Sequence, residues 1–178
     1  MITKYVAFLR GINVGGKKVI KMEELSRIFR AAGFTAVKTL IQSGNVLFNS
    51  PADDIAALKS AVENKLKKEL GYEVEVFLLT HSEVVSTVNS DPFKGFQADK
   101  KTKFYISLLS ENPGKKIKLP LFSDFKEVEL LRIDGNKAYI LSHEVKGRHG
   151  FPNNFLEKIS SLSATTRNWN TFVKLSKE

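Results

Sequence analysis

The sequence predicts an α+β protein in which helices cover one face of mostly antiparallel sheets, and three observations support this fold class. Apolar residues make up 42% and charged residues 26% of the sequence, which is a composition typical of globular proteins. The length of 178 residues is sufficient for two small domains. In residues 1–80 the hydrophobic periodicity alternates between strand and helix in the order β-α-β-β-α-β. In residues 81–178 a similar order, β-(α)-β-β-α, can be traced.

The first half begins with a buried strand and an amphipathic helix. The apolar run Tyr5–Leu9 is expected to be buried on both faces, and a glycine-rich loop follows it. Apolar residues at helical spacing then predict a helix that ends near Gly33. These are Met22, Leu25, Ile28, Phe29 and Ala32. The next two strands are predicted at Ala36–Ile41 and Val46–Phe48, on either side of a polar turn.

A second helix and a fourth strand complete this unit. Ser50 is predicted as the helix N-cap, with Pro51 at the first helical position and Asp53 completing a capping pattern. Apolar residues on one face follow at Ile55, Leu58, Val62 and Leu66, and the strand Val74–Leu79 comes next. Two helices on one face of a four-stranded antiparallel sheet would bury both apolar stripes, which is the ferredoxin-like arrangement.

The second half is less regular but carries similar signals. Thr80 and Glu83 form a capping pattern that opens a helix, and Asp134-Gly135-Asn136 is typical of a hairpin turn. We therefore predict two domains, a ferredoxin-like subdomain at residues 1–80 and a second one with a C-terminal helix at 81–178, related by duplication. The remaining predicted elements are the strands Lys103–Leu109, Val128–Ile133 and Lys137–Leu141, a short helical turn at Leu121–Phe125, and a last helix from about Asn168.

Charge and composition limit the partners. The formal net charge of +9 favours anionic partners such as nucleic acid or nucleotides, although it can also serve solubility alone. The absence of cysteine excludes disulfides and thiolate chemistry. We expect no metal and no cofactor, because His81, His143 and His149 show no ligand spacing. No signal segment or membrane span is visible, so a cytoplasmic protein is expected.

The glycine-rich loop resembles a phosphate-binding loop without matching it fully. Residues 11–18 fit the pattern G-x-x-x-x-G-K, but Lys18 replaces the serine or threonine whose hydroxyl would hold Mg²⁺. An antiparallel sheet also argues against a nucleotide triphosphatase. A looser interpretation is that backbone N–H groups of the loop cradle an anion, surrounded by the cations Arg10, Lys17, Lys18 and Lys21. Asn13 is a further candidate ligand-binding residue in this loop. The alternative is a long connection that needs glycine for its backbone angles.

Two polar clusters are further candidates for a binding site. Gln42, Ser43 and Asn45 share one turn, where they either form a recognition patch or bond their own backbone. Near the C-terminus, a guanidinium, two amides and an indole gather at a predicted helix start, where Thr166 is the expected N-cap. These residues are Arg167, Asn168, Trp169 and Asn170. The basic loop 146–149 is interpreted as a solvated loop.

Three segments together resemble a bacterial family known as domain of unknown function 1697. They are residues 10–16 in the glycine-rich loop, residues 42–46 in the polar turn, and residues 166–171 near the C-terminus. Asp91-Pro92-Phe93 is similar to a loop of Asn-Pro-Phe type in that family and departs at its first position. The resemblance implies two ferredoxin-like subdomains and implies no activity.

The sequence leaves the function open among three classes. The leading hypothesis is binding of an anionic ligand, nucleic acid or a nucleotide, through basic and asparagine-rich loops. The first alternative is an enzyme or binder acting on a small phosphorylated or carboxylated metabolite in a cleft between the subdomains, where Arg10, Asn45 and Arg167 would line one pocket. The second alternative is an oligomerising interaction protein. Neither catalysis nor the oligomeric state can be decided from these patterns.

Overall fold

The computed structural model describes residues 1–16, 18–41, 44–114 and 117–178. The chain divides into two compact units, Met1–Val84 and Val85–Glu178. Both are built from helices and antiparallel sheets, so the predicted α+β class is confirmed. None of the helices in the described ranges combines the length and hydrophobicity that a membrane span requires.

The first unit contains a four-stranded antiparallel sheet in the order β2-β3-β1-β4. Alternate residues of the central strand, Tyr5, Ala7 and Leu9, face both helices of this unit in one apolar cluster. Val6 and Phe8 on the opposite face are also buried, as the continuous apolar run predicts. The elements are β1 (Thr3–Leu9), α1 (Met22–Ala31), β2 (Thr35–Leu40), β3 (Asn45–Ser50), α2 (Ile55–Leu70) and β4 (Val76–Thr80).

Helix α2 begins later than its sequence pattern indicates. Ser50 is the last residue of β3 and pairs with Thr3, so its backbone stays extended. The N-cap is Asp54, whose Oδ1 accepts hydrogen bonds from the backbone N–H groups of Ala56 and Ala57 at 2.9 and 3.0 Å. The predicted cap at Ser50 is therefore wrong. Ile55 lies outside the buried stripe and is 43% exposed.

The second unit has a longer antiparallel sheet. A helix, α3 (His81–Asn89), leads into this unit, and Thr80 and Glu83 make the predicted reciprocal cap. The strands are β5 (Thr102–Leu109), β6 (Leu121–Phe122), β7 (Val128–Asp134), β8 (Lys137–Val145), β9 (Arg148–His149) and β10 (Ala164–Asn168). They run in the order β10-β5-β8-β7-β6, and β9 pairs with β8. The helices α4 (Pro152–Ser160) and α5 (Trp169–Ser176) complete the unit.

Two features of the second unit differ from the prediction. The helical turn expected at Leu121–Phe125 is instead the short strand β6 and a turn, because Leu121 pairs with Leu130 and the N–H of Ser123 donates to the carbonyl of Val128. The helices also do not share one face of the sheet. Helix α4 packs through Leu156 on one face, whereas Trp169 of α5 contacts Phe93, which stacks on Phe104 of the other face.

Candidate functional site

The glycine-rich loop is closed by the side chain of Asn13. The Oδ1 of Asn13 accepts a hydrogen bond from the N–H of Ile20 at 2.8 Å, and its Nδ2 donates to the carbonyl oxygen of Ile20 at 3.1 Å. The carboxamide therefore pairs with a backbone residue as a neighbouring strand would. Ile20 is buried, and the backbone of Asn13 has a φ of +56°. Asn13 thus shapes the loop, in line with the structural alternative weighed for this segment.

The cations of this loop lie against the segment before β4. The Nη1 of Arg10 is 3.6 Å from Oε2 of Glu75, and both side chains are partly exposed. The Nζ of Lys18 donates to the carbonyl oxygen of Glu73 at 2.8 Å and lies 5.3 Å from the centre of the Tyr72 ring. Lys17 lies outside the described residues. Carboxylates and a carbonyl oxygen thus offset part of the positive charge here.

Asn45 also has an internal partner. It is fully buried at the start of β3, and its Nδ2 donates to the carbonyl oxygen of Leu40 at 3.0 Å, which joins the end of β2 to the start of β3. Gly44 precedes it with a φ of +72°, and a Cβ there would lie 3.1 Å from the Cβ of Leu9. Gln42 and Ser43, the other candidates in this turn, lie outside the described residues.

The polar segment before α5 is a strand followed by a cap. Thr166 lies in β10 opposite Ser107 and donates to Oδ1 of Asn153 on α4, while its Oγ1 is 2.6 Å from the Ser107 hydroxyl. The N-cap of α5 is Asn168, whose Oδ1 accepts from the N–H of Asn170 at 2.9 Å. The predicted N-cap at Thr166 is wrong, because strand pairing holds Thr166 in an extended conformation.

Arg167 is buried, and Trp169 is partly buried among aromatic rings. The Nη1 of Arg167 donates to Oγ1 of Thr165 and to the carbonyl oxygen of Thr166, each at 2.9 Å. Burial lowers the pKa of Arg167 to about 10, which leaves the guanidinium protonated at neutral pH. The indole of Trp169 packs on Phe172 and Phe93. Asn170 is the exposed member of this group.

The predicted site residues thus fall into two groups. Arg10, Asn13 and Asn45 belong to the first unit, and residues 167–170 belong to the second. Most of their described polar atoms bond the nearby backbone or cap a helix. The convergence of Arg10, Asn45 and Arg167 in one pocket stays a prediction.

A basic surface that sequence patterns did not single out lies at one end of the second sheet. Thr102 pairs with His143, and the N–H of Glu144 donates to the carbonyl oxygen of Lys101 at 2.7 Å. On the other side of β8, Val145 pairs with Arg148. The start of β5 and the hairpin of β8 and β9 are therefore neighbours. We call this surface the basic edge, and its exposed cationic side chains are Lys100, Lys101, Lys103, Lys146 and Arg148.

The basic edge has more exposed cations than carboxylates, and Glu144 is the exposed acidic residue of its β8–β9 hairpin. Within the described part of the chain, none of these side chains forms an ion pair. The nearest carboxylate along the chain, Asp99, accepts hydrogen bonds from the N–H groups of Lys101 and Thr102 at 2.7 and 2.6 Å. These bonds, aided by the charge of Lys101, lower the pKa of Asp99. Phe96 adds a ring that is 45% exposed.

Strand pairing explains why this surface escaped detection. Lys100 and Lys101 are more than forty residues from Lys146 and Arg148 in the sequence, and each pair by itself is an ordinary solvated loop. The basic edge could have been found from the strand predicted at 137–141. If that strand is extended by four residues to 145, the basic loop 146–149 lies beside the predicted strand 103–109.

One histidine at this end of the sheet has defined partners. The Nε2 of His143 is 2.8 Å from Oε2 of Glu129, and its Nδ1 is 3.4 Å from Oγ1 of Thr102. These contacts hold the imidazole in one orientation between a carboxylate and a hydroxyl. Across the described ranges, no group of three or more His, Asp or Glu side chains is placed to hold a metal ion.

Comparisons with known proteins identify a family and a solved structure with a similar fold. A sequence profile of the family described as "Protein of unknown function (DUF1697)" matches residues 2–139, so the segment 166–171 lies beyond the matched range. The conserved bacterial protein SP0830 from Streptococcus pneumoniae has a similar fold, with a TM-score of 0.67 and 20% sequence identity over 99% of this chain and 98% of that one. No curated protein has a sequence that matches this chain.

Proposed function

Given that the chain belongs to the family of proteins of unknown function DUF1697, we propose that it binds single-stranded nucleic acid through the basic edge of its second unit. The family description assigns no activity, so the proposal rests on the surface itself. The observation that carries it is the clustering of exposed Lys and Arg side chains that have no ion-pair partners in the described ranges, on adjoining ends of β5, β8 and β9.

The arrangement suits a phosphate backbone. Affinity for nucleic acid comes mainly from cations that neutralise phosphates and release their counterions. Lys100 and Lys101 immediately precede β5 and Lys103 is its second residue, while Lys146 lies in the turn between β8 and β9 and Arg148 begins β9. The partly exposed ring of Phe96 lies in the same segment and could stack on a base, which is how single strands gain affinity without sequence preference.

The loops that the sequence favoured contribute less to this proposal. Arg10 lies near Glu75, and the amides of Asn13 and Asn45 bond backbone groups of their own unit. We therefore shift the proposed anion site from these loops to the basic edge, while keeping nucleic acid as the ligand class.

Counterion release sets the expected salt dependence. If four of the cations contact phosphates, the logarithm of the binding constant should fall with the logarithm of salt concentration with a slope of about −3 for a single strand. Between 50 and 200 mM salt the affinity should then drop by about fiftyfold. At physiological salt we expect dissociation constants in the range of about 1 to 100 μM, as for other sequence-independent complexes.

The test is a fluorescence anisotropy titration of labelled oligo(dT) and oligo(U) at several salt concentrations. The variant Lys100→Ala/Lys101→Ala/Arg148→Ala should bind more weakly and lose about 2 from the magnitude of the slope. The matched control is Lys65→Ala/Lys67→Ala/Lys68→Ala on α2, which makes the same change in net charge, from +9 to +6. Equal losses in both variants, or no binding by the unaltered protein at 50 mM salt, would refute the proposal.

The metabolite hypothesis is kept as a competitor in the same assay. Nucleoside monophosphates or inorganic phosphate at millimolar concentration should not displace the oligonucleotide if several phosphates are held at once. Displacement, together with loss of displacement in Arg10→Ala or Arg167→Lys, would favour a small anionic ligand instead.

We also propose that the two units are ferredoxin-like repeats of one ancestral unit. Supporting this, the order β10-β5-β8-β7 corresponds to β4-β1-β3-β2 when the strands are matched in chain order. Helix α4 precedes β10 as α2 precedes β4. In the second unit, β6 stands between the first two matched strands in place of a helix. An experimental structure in which the β8–α4–β10 and β3–α2–β4 connections differ in handedness would contradict the duplication.

A further inference from the structure

A second surface, at the β6 edge of the second sheet, is apolar. A groove of about 430 Å³ lies between the β6–β7 hairpin and helix α4. Three of the phenylalanines that line it are unusually accessible: Phe122 is 43%, Phe125 76% and Phe151 61% exposed. At roughly 200 Å² per phenylalanine, these rings alone leave about 350 Å² of apolar surface in water. A patch of this size on a monomer is often an interaction site.

The area favours a short segment over a folded partner. A stable interface between folded subunits buries about 1,600 Å² in total, roughly 800 Å² on each side. The three exposed rings supply less than half of that on their side. An extended peptide can instead place one or two side chains between the rings and gain the rest of its contacts from backbone hydrogen bonds.

The edge of the sheet provides those hydrogen bonds. Strand β6 is the last strand on this flank, and no described strand pairs with its outer edge. In an antiparallel ladder, hydrogen-bonded and non-hydrogen-bonded pairs alternate. The N–H of Ser123 donates to the carbonyl oxygen of Val128 at 2.8 Å, so the preceding pair, Phe122 with Glu129, is the non-hydrogen-bonded kind. The N–H and carbonyl groups of Phe122 therefore point away from β7, beside the groove.

The charges around the groove indicate the sign of the partner. The ionisable groups in its lining are Asp124, Glu127 and Lys158. Nζ of Lys158 is 3.3 Å from Oδ2 of Asp124, which leaves Glu127 as the lining charge without an ion pair in the described ranges. The lining thus carries one net negative charge on a protein whose net charge is +9. A cationic side chain on the partner would be complementary to Glu127.

We infer that this groove binds an extended peptide segment of a partner protein, which adds a strand to β6 and places an apolar side chain among the phenylalanines and a Lys or Arg beside Glu127. The groove lining shares no residue with the basic edge, and the two surfaces adjoin where the N–H of His143 donates to the carbonyl oxygen of Glu127. The inference goes beyond the proposed nucleic-acid binding.

The first test selects peptides from a random heptapeptide library displayed on phage, with the full-length protein as target. We expect enrichment of peptides with apolar residues at alternate positions and at least one Lys or Arg. Synthetic versions should bind Phe125→Ser at least tenfold more weakly than the unaltered protein, as expected for an interface anchor. The matched control is Phe96→Ser, which removes an exposed phenylalanine ring outside the groove and should leave peptide binding unchanged.

Two further measurements distinguish the addition of a peptide strand to β6 from non-specific hydrophobic binding. N-methylation of the peptide amide that pairs with Phe122 should abolish binding, whereas N-methylation of the next amide should not. Glu127→Gln should weaken peptides that carry Lys and leave their Lys→Gln versions unaffected. The inference is overturned if no peptides are enriched, if enriched peptides bind Phe125→Ser equally well, or if both methylated peptides bind. It is also overturned if the groove variant reduces self-association or oligonucleotide binding instead.

Discussion

Substitutions of Asn13 measure two contributions to the stability of the glycine-rich loop, the hydrogen bonds to Ile20 and the positive φ at residue 13. In Asn13→Ala, the N–H and carbonyl groups of Ile20 lose hydrogen bonds of 2.8 and 3.1 Å. At about 1 kcal/mol for each bond, the loss is about 2 kcal/mol. Alanine must also adopt a φ of +56°, which costs about 1 kcal/mol more. We expect the free energy of unfolding to fall by about 3 kcal/mol.

Asn13→Gly isolates the hydrogen-bond part. Glycine adopts a positive φ without strain, so this variant should lose only about 2 kcal/mol. The expected order is therefore unusual, since alanine is normally the more stabilising of the two residues. The neighbouring substitution Val14→Ala, at a side chain that is 59% exposed, should change stability by less than about 0.5 kcal/mol.

Urea unfolding followed by far-ultraviolet circular dichroism measures these differences. Native-state hydrogen exchange adds a local readout, because the amide of Ile20 should exchange faster in both Asn13 variants and at the original rate in Val14→Ala. If Asn13→Ala is as stable as Asn13→Gly, a φ of +56° at residue 13 does not destabilise alanine relative to glycine. If neither variant is destabilised, the pairing with Ile20 does not hold the loop.

Two further predictions concern a cap and a carboxylate. Asp54→Ala removes the N-cap of α2 and should lower the free energy of unfolding by about 1 kcal/mol. Pro51→Ala should change it by less than about 0.5 kcal/mol, and urea unfolding measures both. A larger loss for Pro51→Ala than for Asp54→Ala would indicate that the helix begins at Ser50. The pKa of Asp99 is lowered by backbone N–H donors, so the folded state holds its proton less tightly than the unfolded chain. Its stabilisation is complete above the ordinary pKa of aspartate, about 3.9, and is lost as pH falls through the lower folded value. Asp99→Asn should therefore be less stable than the unaltered protein at pH 6, and the gap should narrow below about pH 4; a gap independent of pH would contradict this.

Local patterns predicted the elements whose signals are local. The hairpin at residues 134–136 needs only a tight turn between two apolar runs, and Asp134 indeed pairs with Lys137. The stripe of Leu58, Val62 and Leu66 needs only helical periodicity, and all three are buried. The capping pair Thr80 and Glu83 is likewise complete within four residues.

Signals that depend on strand pairing could not be read in the same way. Ser50 and Thr166 both resemble helix caps, but each is held in a strand by a partner far away in the sequence. The amides of Asn13 and Asn45 resemble recognition groups, and only the folded loop reveals that they bond Ile20 and Leu40. The basic edge requires β5 and β8 to be paired before its charges become neighbours.

The hydroxyl chain that links Ser107, Thr166 and Asn153 has a consequence for the groove. Because Thr166 gives its proton to Asn153, the fully buried hydroxyl of Ser107 must donate to Thr166. Sliding or rotating α4 would take Asn153 away and leave the hydroxyl proton of Thr166 without its acceptor, at a cost of about 1–3 kcal/mol. Helix α4 also supplies Phe155 and Lys158 to the groove wall. The groove is therefore preorganised in the free protein, so the conformational entropy lost on binding comes mainly from the peptide segment.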